Sequence, residues 1–446
     1  MKSKDILQEP LHKLFLRYVS FSALSMLGVS LYILADTFFI ANGVGQEGLA
    51  ALNVVIPFFS LMSGIGLLLG MGGATLYSIS LGKGQTNRGN QIFSFTIILG
   101  SMIGSLLTIS GLLFREPFLK TLGATGEIYP LAKSYFTILI SFSLFFILNF
   151  ILTSFVRNDG SPNIAMISML TGSFVNIILD YIFIFPLQMG MAGAAWATIT
   201  SPIIGLIILL TRKKTTKNSL AFVSFRVRFS DLLEIVSIGF PALVTEFSTG
   251  LVVFLFNKTI LRLMGTIGVA SYGILTNISF VGISLFTGIG QGIQPLASIS
   301  FGARNSKRVF LILLYGFILA MGLGSFYYII SLLFGDSIIS FFNNENSSEL
   351  AEITKWGFQI YFISFFFMGA NIVSIAFFSA VAKVRQSFLL SLLRGILFII
   401  PFVIILPHYF GMTGVWLVVP ITEGLVFIIT LYFLRRYFKT SQGEFL

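Results

Sequence analysis

Asn176 and Asp180 stand four residues apart inside a long apolar segment of the chain. On a helix this spacing places the two side chains on one face, one turn apart. A carboxylate and a carboxamide buried in apolar surroundings are costly unless a ligand or a partner uses them. Hard cations prefer such oxygen ligands, and a carboxylate can instead hold a proton. The pair therefore predicts a site for a small cation.

Two further oxygen-bearing side chains are predicted to reach the same level of the molecule. Asp36, Asp180 and Thr198 lie about four, six and seven residues inside the corresponding ends of their apolar segments, or roughly 6–11 Å from one boundary. We therefore expect a cation site to form from Asp36, Asn176, Asp180 and Thr198. If the cation is Na⁺, these four residues are its metal ligands. The two carboxylates could alternatively share a proton.

The composition identifies the surroundings of these residues. Of 446 residues, 56% are hydrophobic and only 10% are charged, and the mean hydropathy is +0.94. A soluble protein carries about 25% charged residues. Because the apolar runs are long and continuous, they indicate helices rather than the strands of a membrane barrel. The sequence predicts an all-α integral membrane protein in a lipid bilayer.

A helix needs about 20 mostly apolar residues to cross a bilayer, and twelve stretches of the chain meet this requirement. They lie near 14–40, 48–81, 91–114, 128–156, 162–186, 191–211, 232–261, 268–300, 308–333, 349–380, 386–407 and 411–435. A basic segment separates the first six stretches from the last six. We therefore predict an amino-terminal lobe (1–211), a cytoplasmic linker (212–231) and a carboxy-terminal lobe (232–446).

The two halves resemble each other in sequence. Residues 79–82 (ISLG) match 299–302 (ISFG) at an offset of 220, and residues 190–193 (GMAG) match 411–414 (GMTG) at an offset of 221. An even number of spans in each half makes this a parallel repeat, with a pseudo-twofold axis along the membrane normal. We expect two pseudo-symmetric six-helix lobes that face each other across a central cavity.

Most of the 28 Lys and Arg residues fall in loops on one side of the predicted membrane, and they account for the net charge of +11. This distribution indicates topology rather than nucleic-acid binding, and it places both termini in the cytoplasm of a plasma (inner) membrane protein. The chain has no Cys and only two His residues, which argues against thiolate metal sites and His-based catalysis. No nucleophile elbow or triad is present, so we do not expect an enzyme.

Two other acids, Glu246 and Glu423, lie within predicted spans. Arg394 in the span before Glu423 is a candidate partner, and the sequence predicts that the two form a structural ion pair. The sequence leaves open whether Glu246 relays the cation or is a structural acid. Asn257, near the repeat position of Asp36, is a candidate for the same relay or for a substrate contact.

Several blocks of sequence resemble the multidrug and toxic compound extrusion (MATE) family, in its bacterial multidrug efflux type. They are residues 35–40 (ADTFFI), 48–52 (GLAAL), 176–184 (NIILDYIFI) and 190–198 (GMAGAAWAT). The resemblance covers nearly the whole chain and implies twelve helices in two lobes around a V-shaped cavity. It also implies Na⁺- or H⁺-driven antiport of amphipathic, often cationic, organic compounds by alternating access.

Carried over residue by residue, the family's amino-terminal cation site falls on the same four residues that spacing and depth selected. The acid of its seventh helix falls on Glu246. Two features depart from the family pattern. The first span contains no proline, only Gly28, whereas some members have a proline there. The tenth span contains no acid, and Asn371 is its nearest polar residue.

Three functions remain open from the sequence. The leading one is a monomeric cation-coupled antiporter of small organic substrates, with Na⁺ or H⁺ as coupling ion and no other cofactor. The second is a flippase for a lipid-linked precursor, from the same superfamily; it would need more bases in its spans than Arg394, Lys258 and Lys133. The third is a channel or a membrane scaffold, against which a lobed repeat with buried acids argues.

Overall fold

A computed structural model describes residues 7–211, 220–225, 228–343 and 347–444. Over these ranges the regular structure is entirely helical, which confirms the predicted fold class. The helices are α1 (Leu11–Gly43), α2 (Gln46–Gly82), α3 (Thr86–Leu113), α4 (Arg115–Thr121), α5 (Ile128–Ser141), α6 (Ser143–Asn158), α7 (Pro162–Ile184), α8 (Gly190–Thr211), α9 (Phe229–Gly302), α10 (Ser306–Phe342), α11 (Ser348–Tyr361), α12 (Phe365–Ala380), α13 (Val384–Leu392) and α14 (Ile399–Glu444). A π-helical turn, Leu393–Leu397, joins α13 to α14. Half of the predicted linker, residues 212–219 and 226–227, lies outside the described residues.

Two of these helices are too long for one crossing, and each breaks at a glycine. α9 has 74 residues, or about 110 Å, against a bilayer core of about 30 Å. Gly265 interrupts α9 with φ 64°, and Gly411 interrupts α14 with φ 53°, a conformation that glycine adopts without strain. Nine helical stretches of the described ranges, and one bent pair, are long and apolar enough to cross a membrane. Since two of the nine hold two crossings each, these ranges provide twelve.

The predicted span 128–156 is bent rather than straight. Its two parts, α5 and α6, meet at an angle of 52°. Thr108 Oγ1 of α3 donates a hydrogen bond to Ile140 O at 3.0 Å, and Ser143 Oγ donates to Gly104 O at 3.1 Å. A break leaves backbone carbonyls without helical partners, and the Thr108 hydroxyl satisfies one of them. These contacts between α3 and the bend stabilise it.

Each half of the chain buries the start of the first long helix of the other half; these helices are α1 and α9. Leu14 and Tyr18 of α1 belong to the buried cluster that the carboxy-terminal half mainly forms. Ile235, near the start of α9, belongs to the buried cluster of the amino-terminal half. The lobes therefore interlock at one end of the helix bundle, which also carries Lys83 and Arg304 and is called here the basic end.

Two arginines related by the internal repeat hold these exchanged starts in place. The guanidinium of Arg88 on α3 forms an ion pair with the carboxylate of Asp231 at the start of α9. Arg308 on α10 lies 220 residues later in the sequence. Its guanidinium donates to the carbonyls of Leu7 and Glu9, just before α1, both at 3.2 Å. An arginine of each lobe thus contacts the start of the first long helix of the other lobe.

Glycines bring the backbones of the two lobes into direct contact at the basic end. A Cβ added to Gly82 would lie 2.2 Å from the carbonyl oxygen of Ile299, and one added to Gly302 would lie 2.2 Å from that of Ile79. The two contacts are reciprocal and follow the 220-residue offset of the repeat. Only glycine allows helices to approach this closely.

We expect Gly82→Ala to lower the thermal midpoint of the purified protein in detergent by several degrees. The added methyl forces two backbones apart, and overpacking of this kind costs about 1–3 kcal/mol. The matched control is Gly322→Ala on α10, where an added Cβ meets nothing within 4 Å. The control should be neutral or slightly stabilising, because Ala favours a helix over Gly. Equal midpoints for the two variants would contradict the close contact.

Candidate cation site

The buried face of α7 positions two of the four predicted cation ligands. Gly28 of α1 lies against Ser173, and Gly172 lies against Ser201 of α8, so that α1 and α8 both pack closely on α7. Buried positions recur every three or four residues along α7, as expected for a helix with one packed stripe. They are Pro162, Ala165, Ser168, Gly172, Ser173, Asn176, Asp180 and Ile184.

The structure buries all four predicted residues and places Asp36 next to Asp180. Asn176 and Asp180 are completely buried, Thr198 is 6% exposed and Asp36 is 9% exposed. The carboxyl groups of Asp36 and Asp180 lie close enough to each other to interact electrostatically. By helical rise, Asp36, Asp180 and Thr198 lie about 6–12 Å from the helix ends opposite the basic end. The site is therefore buried but close to one membrane boundary, as the sequence predicted.

Several polar atoms of this site have no partner. Oδ1 of Asp36, both carboxylate oxygens of Asp180 and both polar atoms of the Asn176 amide make no hydrogen bond within the described residues. No ion pair in those ranges includes either acid. Buried polar groups are nearly always satisfied, and a buried carboxylate without a base is especially costly. A bound cation or a shared proton would satisfy these atoms.

The donor set suits a small hard cation better than a transition metal. The described residues contain no group of three His, Cys, Asp or Glu side chains that could hold a metal ion. Two carboxylates with the oxygens of Asn176 and Thr198 offer charge compensation and several hard ligands, which are what Na⁺ requires. The same two carboxylates, facing each other, can hold one proton between them.

Two tyrosines complete the surroundings of the site, and the sequence analysis missed both. Tyr135 OH on α5 lies 3.4 Å from Thr198 Oγ1, which also donates to the carbonyl of Ala194 at 2.9 Å. Tyr32 stands one turn before Asp36 on α1 and lies near both site carboxylates. Its four-residue spacing from Asp36 was a signal in the sequence. Tyr135 lies far from the other residues in sequence and carried no such signal.

Glu246 lies where the lobes meet. Ser63 Oγ on α2 donates to Glu246 Oε1 on α9 at 3.1 Å, so this hydrogen bond joins the two halves of the chain. Glu246 also lies near Tyr32 and hence near the cation site. Asn257 is about 16 Å further along α9 by helical rise, and it makes no hydrogen bond within the described ranges.

The structure also brings Arg394 and Glu423 together. Arg394 Nε donates to Glu423 Oε1 at 2.5 Å, and the carboxylate is almost fully buried. Asn371 Nδ2 donates to the other carboxylate oxygen at 2.8 Å and to the Glu423 carbonyl at 3.0 Å. Thr430 Oγ1 donates in turn to Asn371 Oδ1 at 3.0 Å. The sequence had marked Asn371 only as a polar residue and had not singled out Thr430.

A bundle of twelve crossings in two repeated lobes, with buried acids near the lobe interface, has the architecture of a membrane transporter. Within that class, the MatE family profile matches residues 22–182 and 241–405, one segment in each half of the chain. The chain belongs to the MatE family. The family resemblance of the sequence blocks is thereby confirmed.

Relatives and solved structures of similar length match the whole chain. Multidrug export protein MepA of Staphylococcus saprophyticus is 27% identical over 461 aligned positions, which cover 100% of both chains. MepA of Staphylococcus aureus strain MSSA476 is also 27% identical and is covered to 99%. An outward-facing multidrug resistance transporter of the MATE family superimposes with a TM-score of 0.93 at 24% identity, over 99% of each chain. A MOP superfamily transporter from Pyrococcus furiosus, described as having a binding pocket of reverse polarity, gives a TM-score of 0.91 at 24% identity over 99% of each chain.

We expect the thermal midpoint of the wild-type protein to rise by several degrees as Na⁺ is added, or as the pH is lowered, because the cation binds only the folded site. At a cation concentration 100 times the dissociation constant, such binding raises the free energy of unfolding by about 2.7 kcal/mol. Asp180→Asn should abolish this dependence. The control is Asp336→Asn, whose carboxylate forms an exposed pair with Lys355, and which should keep the wild-type response. A response that survives in Asp180→Asn would remove Asp180 from the site.

Proposed function

We propose that this protein is a cation-coupled antiporter that exports amphipathic, often cationic, organic compounds from the cell. The observation that carries the proposal is the buried pair Asp36 and Asp180, which face each other without a base. Such a pair binds a cation or a proton strongly in one arrangement of the helices and weakly in another. The relatives named as multidrug export proteins support the class of substrate.

Coupling follows from the electrostatics of the pair. When both carboxylates are charged and no cation is bound, their repulsion favours an arrangement of α1, α7 and α8 in which they lie further apart. A bound cation neutralises the pair and lets these helices approach, which narrows the adjacent cavity and expels the drug. Release of the cation on the other side resets the transporter. Drug and cation thus favour different states, as an antiporter requires.

The distribution of charge supports an orientation for this cycle. Lys and Arg residues concentrate at the basic end, which the positive-inside rule assigns to the cytoplasm of the plasma membrane together with both termini. The glycine contacts and the two arginine connections close the lobes together at that end. The cation site lies toward the opposite, external boundary. In this arrangement the coupling cation reaches the site from outside.

No observation favours a flippase for a lipid-linked precursor. A pyrophosphate headgroup needs several unpaired bases in the cavity. Of the bases within the spans, Arg394 pairs with Glu423, and Lys133 pairs with Glu116 at 3.3 Å. Within the described ranges Lys258 is the one of these three that lacks an ion pair, and the buried Arg157 at the basic end of α6 lacks one too. Lys258 lies about 40 Å by helical rise from the start of α9 at the basic end, so these two bases do not form one pyrophosphate site.

We expect Asp36→Asn and Asp180→Asn each to reduce coupled export at least tenfold, because an amide cannot exchange its charge state with the coupling cation. The measurement is efflux of a fluorescent cationic dye from proteoliposomes, with Na⁺ and pH gradients imposed separately, so that it also identifies the ion. Asp336→Asn, at equal incorporation, is the control for the removal of one carboxylate. Normal efflux by either site variant would refute the assignment.

We expect a reversible cross-link across the basic end to stop transport, because the lobes must separate there to admit substrate. Gln294 Nε2 on α9 donates to Thr75 Oγ1 on α2 at 2.6 Å, and the chain contains no native Cys. Thr75→Cys combined with Gln294→Cys, treated with a short bifunctional thiol reagent, should lose dye efflux and recover it on reduction. Each single variant, treated identically, is the control. Undiminished transport by the cross-linked protein would contradict separation at this end.

A further inference from the structure

The carboxylate of Glu423 differs from the acids of the amino-terminal site in being fully satisfied. One oxygen accepts from Arg394 Nε at 2.5 Å and the other accepts from Asn371 Nδ2 at 2.8 Å. The orientation of the Asn371 amide is held by Thr430 Oγ1, which donates to its oxygen at 3.0 Å. Glu423, Asn371 and Thr430 are at most 2% exposed. A buried carboxylate with an adjacent guanidinium has its charge compensated without any bound ion.

The internal repeat shows which part of this arrangement belongs to the common plan of the lobes. In the amino-terminal half, Asn149 Nδ2 on α6 donates to the carbonyl of Pro202 on α8 at 3.1 Å. Asn371 Nδ2 makes the matching bond to the carbonyl of Glu423 at 3.0 Å. The sequence offsets are 222 and 221 residues, in line with those of the glycine motifs. The asparagine contact is therefore common to both lobes, and only one lobe has an acid there.

The guanidinium is likewise an addition to the repeat. The position 221 residues before Arg394 is Ser173, a small neutral residue on the packed face of α7. Arg394 itself lies in a π-helical turn, a local widening of a helix that is common at functional sites. Acid and base thus occur together in the carboxy-terminal lobe and are both absent from the matching positions of the other lobe.

We propose that Arg394 is the resident cation of the carboxy-terminal lobe: it compensates Glu423 throughout the transport cycle and confines coupling-ion binding to Asp36 and Asp180. This inference rests on the proposed antiport function and sets its stoichiometry at one cation site per protein. All the groups that hold Glu423 lie on helices of one lobe, α12, α14 and the π-helical turn before it. The network can therefore move as a unit, whereas the bond between Ser63 and Glu246 joins different lobes.

The test counts the cations that each purified variant binds, as ²²Na⁺ in equilibrium dialysis and as protons taken up in weakly buffered solution. The structure places Tyr361 as the other titratable side chain close to the Arg394–Glu423 pair, so proton counts are taken below the range in which tyrosines ionise. The wild type should bind one cation, which Asp36→Asn removes. Arg394→Gln should bind twice as many, and the additional cation should persist when Asp36→Asn is added.

The double variant Arg394→Gln with Glu423→Gln should return to one cation, and so should Arg394→Lys, which keeps the charge. Glu423→Gln alone should retain one cation and coupled efflux, which keeps the test decisive if Arg394→Gln does not fold. A single cation in folded Arg394→Gln would overturn the proposal, as would a loss of cation binding in Glu423→Gln. Cation binding that survives Asp36→Asn in the wild-type background would instead count against the proposed coupling site alone.

Discussion

The constraint on which this structure depends is the burial of two carboxylates next to each other without a base. Transfer of a charged carboxylate out of water costs several kcal/mol even after relaxation. Asp36 and Asp180 are nevertheless held together by the close packing of α1, α7 and α8. In the proposed antiport mechanism, their unpartnered oxygens bind a cation or a proton with an affinity that depends on how these helices are packed, which is the physical requirement for coupling.

The carboxy-terminal lobe also buries a carboxylate, but here the charge is compensated by a base. Glu423 receives a guanidinium and an amide from its own lobe, so its charge is compensated in the absence of any ligand. Glu246 represents a third arrangement, because within the described residues its hydrogen-bond partner is the hydroxyl of Ser63 in the other lobe. These three acid sites thus differ in whether they are left open, internally neutralised or shared across the lobe interface.

The repeat also explains how the lobes are joined. Reciprocal contacts at the basic end, Gly82 with Ile299 and Gly302 with Ile79, allow two backbones to touch on the pseudo-twofold axis. Arg88 and Arg308 bind the starts of α9 and α1, respectively, to the other lobe. Contacts of this kind are local to one end of the bundle. Each lobe can therefore keep its own ion network while the interface between them changes.

The sequence by itself determined the helical membrane class, the twelve crossings and the repeat, and it selected the four residues of the candidate cation site. These follow from hydropathy, the i, i+4 spacing and position along a helix, which are local properties of the chain. Only the tertiary structure placed Tyr135 beside Thr198, because packing decides which face of α5 meets α8. The bend between α5 and α6 also required it, since its hydrogen bonds come from α3. Contacts between helices distant in the chain depend on three-dimensional packing, and no local pattern encodes them.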